Sequence, residues 1–312
     1  QELGLKPEAL GAQWDNVREK LFRYRKQRIH PLKDDKILVD WNGLMIAAFS
    51  LGAQILSNPD YARAAEKCAR FILTKMRDDR GRLFHRFRDG ELAVEAQAAD
   101  YAFLIYGLLN LYQATFNLTY AEEAAALQEK MLQDFWDPDG DGFFSTSHES
   151  EALPVRPKEL YDGAIPSANS VSLLNLLWLA RLTGDTKWDT HAHDLMRAFA
   201  GTVKAQPTAF TFFLLGVDFA LRPGQEVVIA ADPDKAEAQE MMAALNLNFT
   251  PYKVALVKSD QNAERLAKFA GYTDGLLLVN DKATAHVCRG FACKEPTSDV
   301  QAMVAHILGK KS

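Results

Sequence analysis

The sequence predicts a mainly α protein: a partial toroid of helical hairpins over residues 1–223, followed by a small α/β domain over 224–312. Three observations carry that prediction. Long segments with helical apolar spacing fill the chain to about Leu221, they come in pairs joined by tight connections, and short β-branched runs replace them after Arg222-Pro223-Gly224.

The helices follow in order. Trp14, Val17, Leu21 and Tyr24 open the series at i, i+3, i+7 and i+10. Further helices are predicted over 41–57, 60–77, 98–118, 119–136, 167–183, 186–204 and 208–221. Within a pair the connection is only a few residues, as in Ser57-Asn58-Pro59-Asp60, Phe116-Asn117-Leu118-Thr119 and Thr183-Gly184-Asp185-Thr186, so paired helices run antiparallel. Between pairs lie longer segments with a Gly turn and a short strand, at Asp78 to His85 and again at Asp137 to Phe144. Trp41, Asp100 and Ser167 mark the starts of successive first helices, 59 and then 67 residues apart, which makes the helical pair an internal repeat. First helices such as Leu44 to Phe49 and Val171 to Leu177 are apolar nearly all round and belong inside. Second helices are amphipathic, with Glu66, Lys67, Arg70 and Lys75 sharing a segment with Phe71 and Leu73, and form an outer layer.

Beyond Gly224, Glu226 to Ala230 reads as a strand, Asp232-Pro233 opens a helix to about Leu245, and Lys253 to Val257 reads as a second strand. Strands at 275–279 and 284–288 and a closing helix near 298–309 complete the domain. It carries neither G-x-G-x-x-G nor G-x-x-x-x-G-K-[ST], so the strand–helix–strand unit implies no nucleotide, and no cofactor is expected.

Composition narrows the partners. The 312 residues hold 36 Lys+Arg against 41 Asp+Glu, a net charge of −5, with no sustained basic block, which argues against nucleic acid and anionic membrane surfaces. No unbroken apolar run reaches the roughly 18 residues of a membrane span, and no secretory pattern opens the chain. Three cysteines do not make a disulfide framework, so a reducing, cytoplasmic setting is expected, with Cys68 a buried unpaired thiol. The first residue is Gln1, and the chain is expected to be part of something longer.

The candidate chemistry gathers where first helices begin, because helix dipoles and loop polar groups converge at that mouth. Asp34, Asp35, Lys36, Trp41 and Asn42 combine an aromatic face with hydroxyl acceptors, which suits a sugar ring, while capping by Asp40 and a core Trp41 is the structural alternative. Asp100, beside Tyr101, and Asp162, before Ser167 and Asn169, are the candidate catalytic pair. Facing a common cavity they would serve as general acid and base, or as acid and nucleophile; otherwise they cap helices and bind loops. An epimerase needs a base beside a carbonyl, usually His, and the loop histidines His85 and His148 have no recognisable partner motif, so a general carbohydrate site is the stronger reading. His191 and His193 lie on an outer helix and read as surface residues. Asp137, Asp139, Asp141 and Gly142 begin a calcium-loop pattern, but its twelfth position is His148, so a hairpin turn is expected and no metal. Cys288 and Cys293 lack a second pair for zinc and read as two reduced thiols on a small sheet.

The segment Asp34 to Met45, with Asp-Trp-Asn-Gly at 40–43, resembles a signature of the YyaL-like family, also known through spermatogenesis-associated protein 20. Supporting matches are Asp100 to Leu104, Asp162 to Ser170, and Ala285-His286-Val287-Cys288 with Cys293, in order over nearly the whole chain. The resemblance implies an (α/α)6 toroid of the six-hairpin glycosidase type, related in shape to N-acylglucosamine and cellobiose 2-epimerases, with a thioredoxin-like domain before it and a small α/β tail. It assigns no biochemical function. This sequence lacks the thioredoxin-like region and any C-x-x-C, and supplies about eight helices where such a toroid needs about twelve. The chain therefore resembles the C-terminal portion, and a raw helical edge would favour self-association or the absent N-terminal portion as partner. The sharing of a chain with a thioredoxin-like domain would also make Cys288 and Cys293 redox candidates. The leading expectation is a toroid that binds or processes a carbohydrate-like small molecule, as hydrolase or epimerase. The alternative is a non-catalytic scaffold that presents a client to the thioredoxin-like domain.

Overall fold

The computed structural model describes residues 7–151 and 154–309. They form two compact units, of which the first ends at Lys36 and the second runs from Ile37. The first unit holds helix α1 (Pro7–Lys26), whose Trp14, Val17, Leu21 and Tyr24 are all exposed.

The second unit is built on four first helices, α2 (Val39–Leu56), α4 (Ala98–Thr115), α6 (Ala168–Thr183) and α8 (Thr211–Leu221). They pack as neighbours in that order, and α3 (Pro59–Lys75), α5 (Leu118–Phe135) and α7 (Thr186–Ala205) back the first three as the outer layer. Tight pair connections enforce this: Asn58, Asn117 and Asp185 each cap the second helix by accepting from a backbone N–H two residues on. The repeat and the inner and outer layers match expectation. The short helix Pro207–Ala209 precedes α8, which begins at Thr211 rather than 208. Helix α2 has the length and mean hydropathy, 1.2 over 18 residues, of a membrane span, but Asp40, Asn42, Ser50 and Gln54 interrupt it and α3 and α4 pack against it.

The α2–α4 contact is the closest of the array. A Cβ at Gly107 would stand 2.5 Å from the Gly43 carbonyl oxygen, and one at Gly43 would stand 2.5 Å from the Phe103 carbonyl carbon. Both neighbours are backbone and cannot swing aside, so the two glycines set the distance between the first two inner helices.

Between helix pairs, β1 (Ile37–Leu38), β2 (Phe84–Arg88) and β3 (Glu91–Glu95) form an antiparallel sheet in that order, with Leu38 opposite Arg86. The carboxyl-terminal sheet runs in the order β5 (Lys253–Lys258), β4 (Gln225–Ala230), β6 (Thr284–Arg289), β7 (Ala292–Cys293). β4 and β5 are parallel, joined by α9 (Ala236–Ala244), whereas β6 lies antiparallel on the other side of β4. Helix α10 (Ala263–Phe269) and closing helix α11 (Val300–Ile307) complete the unit. Two expectations change here. Residues 275–279 are not a strand: the Leu277 carbonyl oxygen lies 2.9 Å from His286 Nε2 and the Val279 N–H donates to Thr284 Oγ1 at 2.9 Å, so side chains of β6 take backbone groups that a strand partner would pair. Cys288 and Cys293, expected as reduced thiols, stand opposite each other on β6 and β7 and form a disulfide.

This sheet is fixed to the helices by side chains acting on backbone. Gln113 of α4 donates to the Ala255 carbonyl and accepts from the Ala255 N–H, at 3.0 and 3.1 Å, and so pairs the open edge of β5 as another strand would. Arg181 of α6 donates to the Tyr252 and Phe219 carbonyls, and a Cβ at Gly224 would fall inside its guanidinium.

Gly107→Ala is expected to destabilise the chain by about 1–3 kcal/mol despite the better helix propensity of alanine. Gly201→Ala on α7, where a Cβ meets nothing within 4 Å, should instead gain about 0.5–1 kcal/mol. Urea unfolding of both variants checks the contrast. In denaturant, thiol titration should find one reactive thiol, Cys68, before reduction and three after it.

Candidate functional site

Three side chains from three elements meet at the mouth of the helical array. Asp100, in the first turn of α4, is buried, and its Oδ2 accepts from the Gln97 N–H at 2.8 Å, closing the helix start. Its Oδ1 accepts from the Asp40 N–H at 3.1 Å and lies 2.9 Å from His85 Nδ1. The β1–β2 pairing makes this meeting possible, because it lays the chain entering α2 along the strand that carries His85. Asp40, His85 and Asp100 each place one potential ligand atom within 4.8 Å of the others, the one such group among the described residues.

The proton arrangement follows from the donors. With Asp100 acting as acceptor, His85 Nδ1 carries the hydrogen, which makes Nε2 the basic nitrogen. The Asp40 carboxyl is pushed above its ordinary value of 3.8, first by burial and then by the charge of Asp100, although the Trp41 N–H and His85 draw it back. A positioned imidazole beside a carboxyl whose proton affinity is raised is the equipment of general acid–base chemistry. As a metal site the group is less well suited, since both Asp100 oxygens are already engaged by N–H donors. The Trp41 ring, one residue on, is 59% exposed and offers a stacking face.

The other predicted residues fall into different places. Asp162 does not join Asp100. Its Oδ1 accepts from the Ser167 N–H at 2.9 Å and its Oδ2 from the Phe212 and Phe213 N–H groups at 2.8 and 3.1 Å, so it caps α8 from outside, where Phe210 at the N-cap supplies no side-chain cap. Ser167 caps α6 by accepting from the Ser170 N–H at 3.1 Å. Asn169 is buried and bridges the Phe143 backbone and the Glu159 carbonyl. Asn42 donates to the Leu38 carbonyl and accepts from the Cys68 thiol, which burial pushes up. The Tyr101 hydroxyl accepts from the Leu83 N–H at 3.1 Å, and burial raises it to about 12. Asp34, Asp35 and Lys36 belong to the first unit, where Lys36 pairs with Asp34 at 3.1 Å. Asp137 of the hairpin turn is paired with Lys158, which holds its carboxyl below the ordinary value. His148 Nδ1 lies 2.9 Å from the Asp134 carbonyl oxygen, and His191 packs edge-on against the Trp136 ring.

Sequence reasoning named His85 without a partner and treated Asp40 only as a cap. The signal was in the repeat: Asp40 and Asp100 stand 60 residues apart, within one residue of the spacing of the first two inner helices, so both carboxyls fall in the first turn of their helices.

A family model described as N-acylglucosamine 2-epimerase (GlcNAc 2-epimerase) matches residues 30–210. Spermatogenesis-associated protein 20 of Mus musculus is 32% identical over 306 residues, which cover 95% of this chain and 39% of the relative. Its Homo sapiens counterpart is 31% identical with the same coverage, so the chain spans about two fifths of the length of these relatives. Among solved structures, a family 76 glycoside hydrolase from a bovine Bacteroides thetaiotaomicron strain superposes with a TM-score of 0.51 at 12% identity, over 90% of this chain and 57% of that chain. At that identity the likeness concerns the fold, an α/α toroid of which this chain supplies part. The chain belongs to the N-acylglucosamine 2-epimerase family.

Proposed function

We propose that the mouth of the helical array is a carbohydrate-processing site of the epimerase class, in which His85 moves a proton on carbon. The observation that carries this is the convergence of Asp40, His85 and Asp100 at the starts of two inner helices, with the exposed Trp41 next to Asp40 in the chain. An open-chain sugar bound at this mouth would present the hydrogen next to its carbonyl to the His85 imidazole. The imidazole takes that proton, and its cation is stabilised by Asp100. Asp40, whose carboxyl burial pushes above its ordinary value, donates a hydrogen bond to the enolate oxygen when it carries its proton. Water supplies a proton to the opposite face of the carbon, which inverts the centre, and the His85 imidazolium gives its proton back to solvent.

The donor geometry supports this class over a two-carboxylate hydrolase. Such a hydrolase needs two carboxyls that face each other about 5–10 Å apart. Here Asp162 is engaged by three backbone N–H groups, and it shares no partner with Asp100.

The test is solvent exchange. In D2O with N-acetylglucosamine as probe, NMR should show deuterium entering at the carbon next to the carbonyl. His85→Ala should slow it by about 10²–10⁴-fold. Absence of exchange in the parent, or equal exchange in the variant, would overturn the proposal.

Asp40 gives a separate expectation. Its folded-state value lies above the ordinary 3.8, so the unfolded chain ionises first as pH rises and stability falls across the window above 3.8. Asp40→Asn does not titrate. Its melting temperature should therefore exceed the parent's at pH 7, and the gap should close as pH falls toward 3.8.

A further inference from the structure

The carboxyl-terminal sheet carries a second crevice, of about 460 Å³, that the toroid chemistry does not use. It lies where β4 ends at Ala230 and β5 at Lys258, and the segment entering β6 forms its far wall. From β4 the chain departs to β5 on one side, and from β5 it returns to β6 on the other. Crevices outside the carboxyl ends of parallel strands, as β4 and β5 are, are the usual ligand sites of open α/β sheets. The volume falls within the range of small-molecule pockets.

We propose that this crevice binds a linear aliphatic polyamine. Its lining carries five carboxylates from separate segments, Asp232, Glu237, Asp260, Asp274 and Asp281, against two lysines. Lys258 is already engaged by the Thr273 and Asp274 carbonyls, which leaves Lys235 as the remaining cation. Within the described residues none of the five carboxylates forms an ion pair.

Their spacing selects the kind of cation. No three of these carboxylates bring oxygens within 4.8 Å of one another, so the set does not enclose a single metal ion. Charges strung along a flexible chain would meet them one by one. Between the charges such a ligand has methylenes, and the crevice offers them an apolar wall: Leu276 is half-buried, and Leu277 and Leu278 are 62% and 44% exposed. That wall is held in place from behind, since the Leu277 carbonyl oxygen lies 2.9 Å from His286 Nε2 and the Val279 N–H donates to Thr284 Oγ1 at 2.9 Å. Dispersed carboxylates beside a fixed apolar wall match amines joined by methylenes better than they match a hydrated ion.

Calorimetry of the whole chain with spermidine at physiological salt tests this, with Mg²⁺ at matched ionic strength as competitor. The expected result is saturable binding of one spermidine per chain, little displaced by Mg²⁺. Asp260→Asn combined with Asp281→Asn should weaken it about tenfold or more, and Leu277→Ser should weaken it without changing the charge. Thermal melting reports whether each variant folds, and Asp260→Asn alone serves if the double variant does not. Absence of a saturable isotherm, full displacement by Mg²⁺, or unchanged affinity in the folded variants would overturn the proposal.

Discussion

The carboxylate of Asp100 is the interaction on which the site end of the molecule depends. Buried without partners it would be costly to keep charged, yet it accepts from the Gln97 N–H and the Asp40 N–H and engages the His85 ring. These partners belong to the start of α4, the start of α2 and the strand β2, so one side chain fixes the relative placement of three elements separated widely in sequence. Removing one member of such a buried charged network costs about 3–5 kcal/mol, because the others are left unpaired. Structural and chemical duties coincide here. The hydrogen bond that fixes the ring of His85 also fixes which of its nitrogens is basic.

That arrangement tolerates little freedom between α2 and α4, and the Gly43–Gly107 approach supplies the constraint. With backbone against backbone, the two inner helices have one depth of contact, and the carboxyl of Asp100 therefore reaches the Asp40 N–H without adjustment of either helix. The capping of α8 by Asp162 extends the same logic to the later helices. A helix start with no capping side chain of its own is held by a carboxylate from the preceding irregular segment. Polar residues that look catalytic by type and position thus divide into one that reaches a titratable partner and one that meets only backbone.

The helical repeat was legible because it rests on periodicities the chain states locally: all-round apolar inner helices, amphipathic outer ones, and Asn or Asp at the tight turns between them. The site was half legible. Trp41 and Asp100 stand out as types at marked positions, but the pairing of His85 with Asp100 depends on the register of a two-residue strand, Ile37–Leu38, which has no sequence signature of its own. Asn169 and Tyr101 read as ligand-facing because they are polar and close to a helix start. They turned inward because neighbouring backbone groups, at Phe143, Glu159 and Leu83, needed partners. The segment 275–279 has strand-like composition, yet its backbone meets the side chains of His286 and Thr284 on β6, contacts no local pattern reports.

The carboxyl-terminal sheet is part of the helical body rather than an appendage, and its side-chain alternation shows why. Val228, Val254 and Leu256 join the core of the helical array, whereas Val227, Ile229, Ala255 and Val257 pack with Ala238, Met241 and Met303 on the opposite face. Period-two alternation on β4 and β5 thereby serves two cores at once, with each fully buried Val or Leu worth about 1.5–3 kcal/mol. Gln113 and Arg181 then add polar ties from α4 and α6 to the strand β5 and the turn before it. A sheet held by its face, its edge and its entering turn has a set orientation on the helices. The crevice at the ends of β4 and β5 is consequently carried at a fixed position relative to α4, the helix that also holds Asp100.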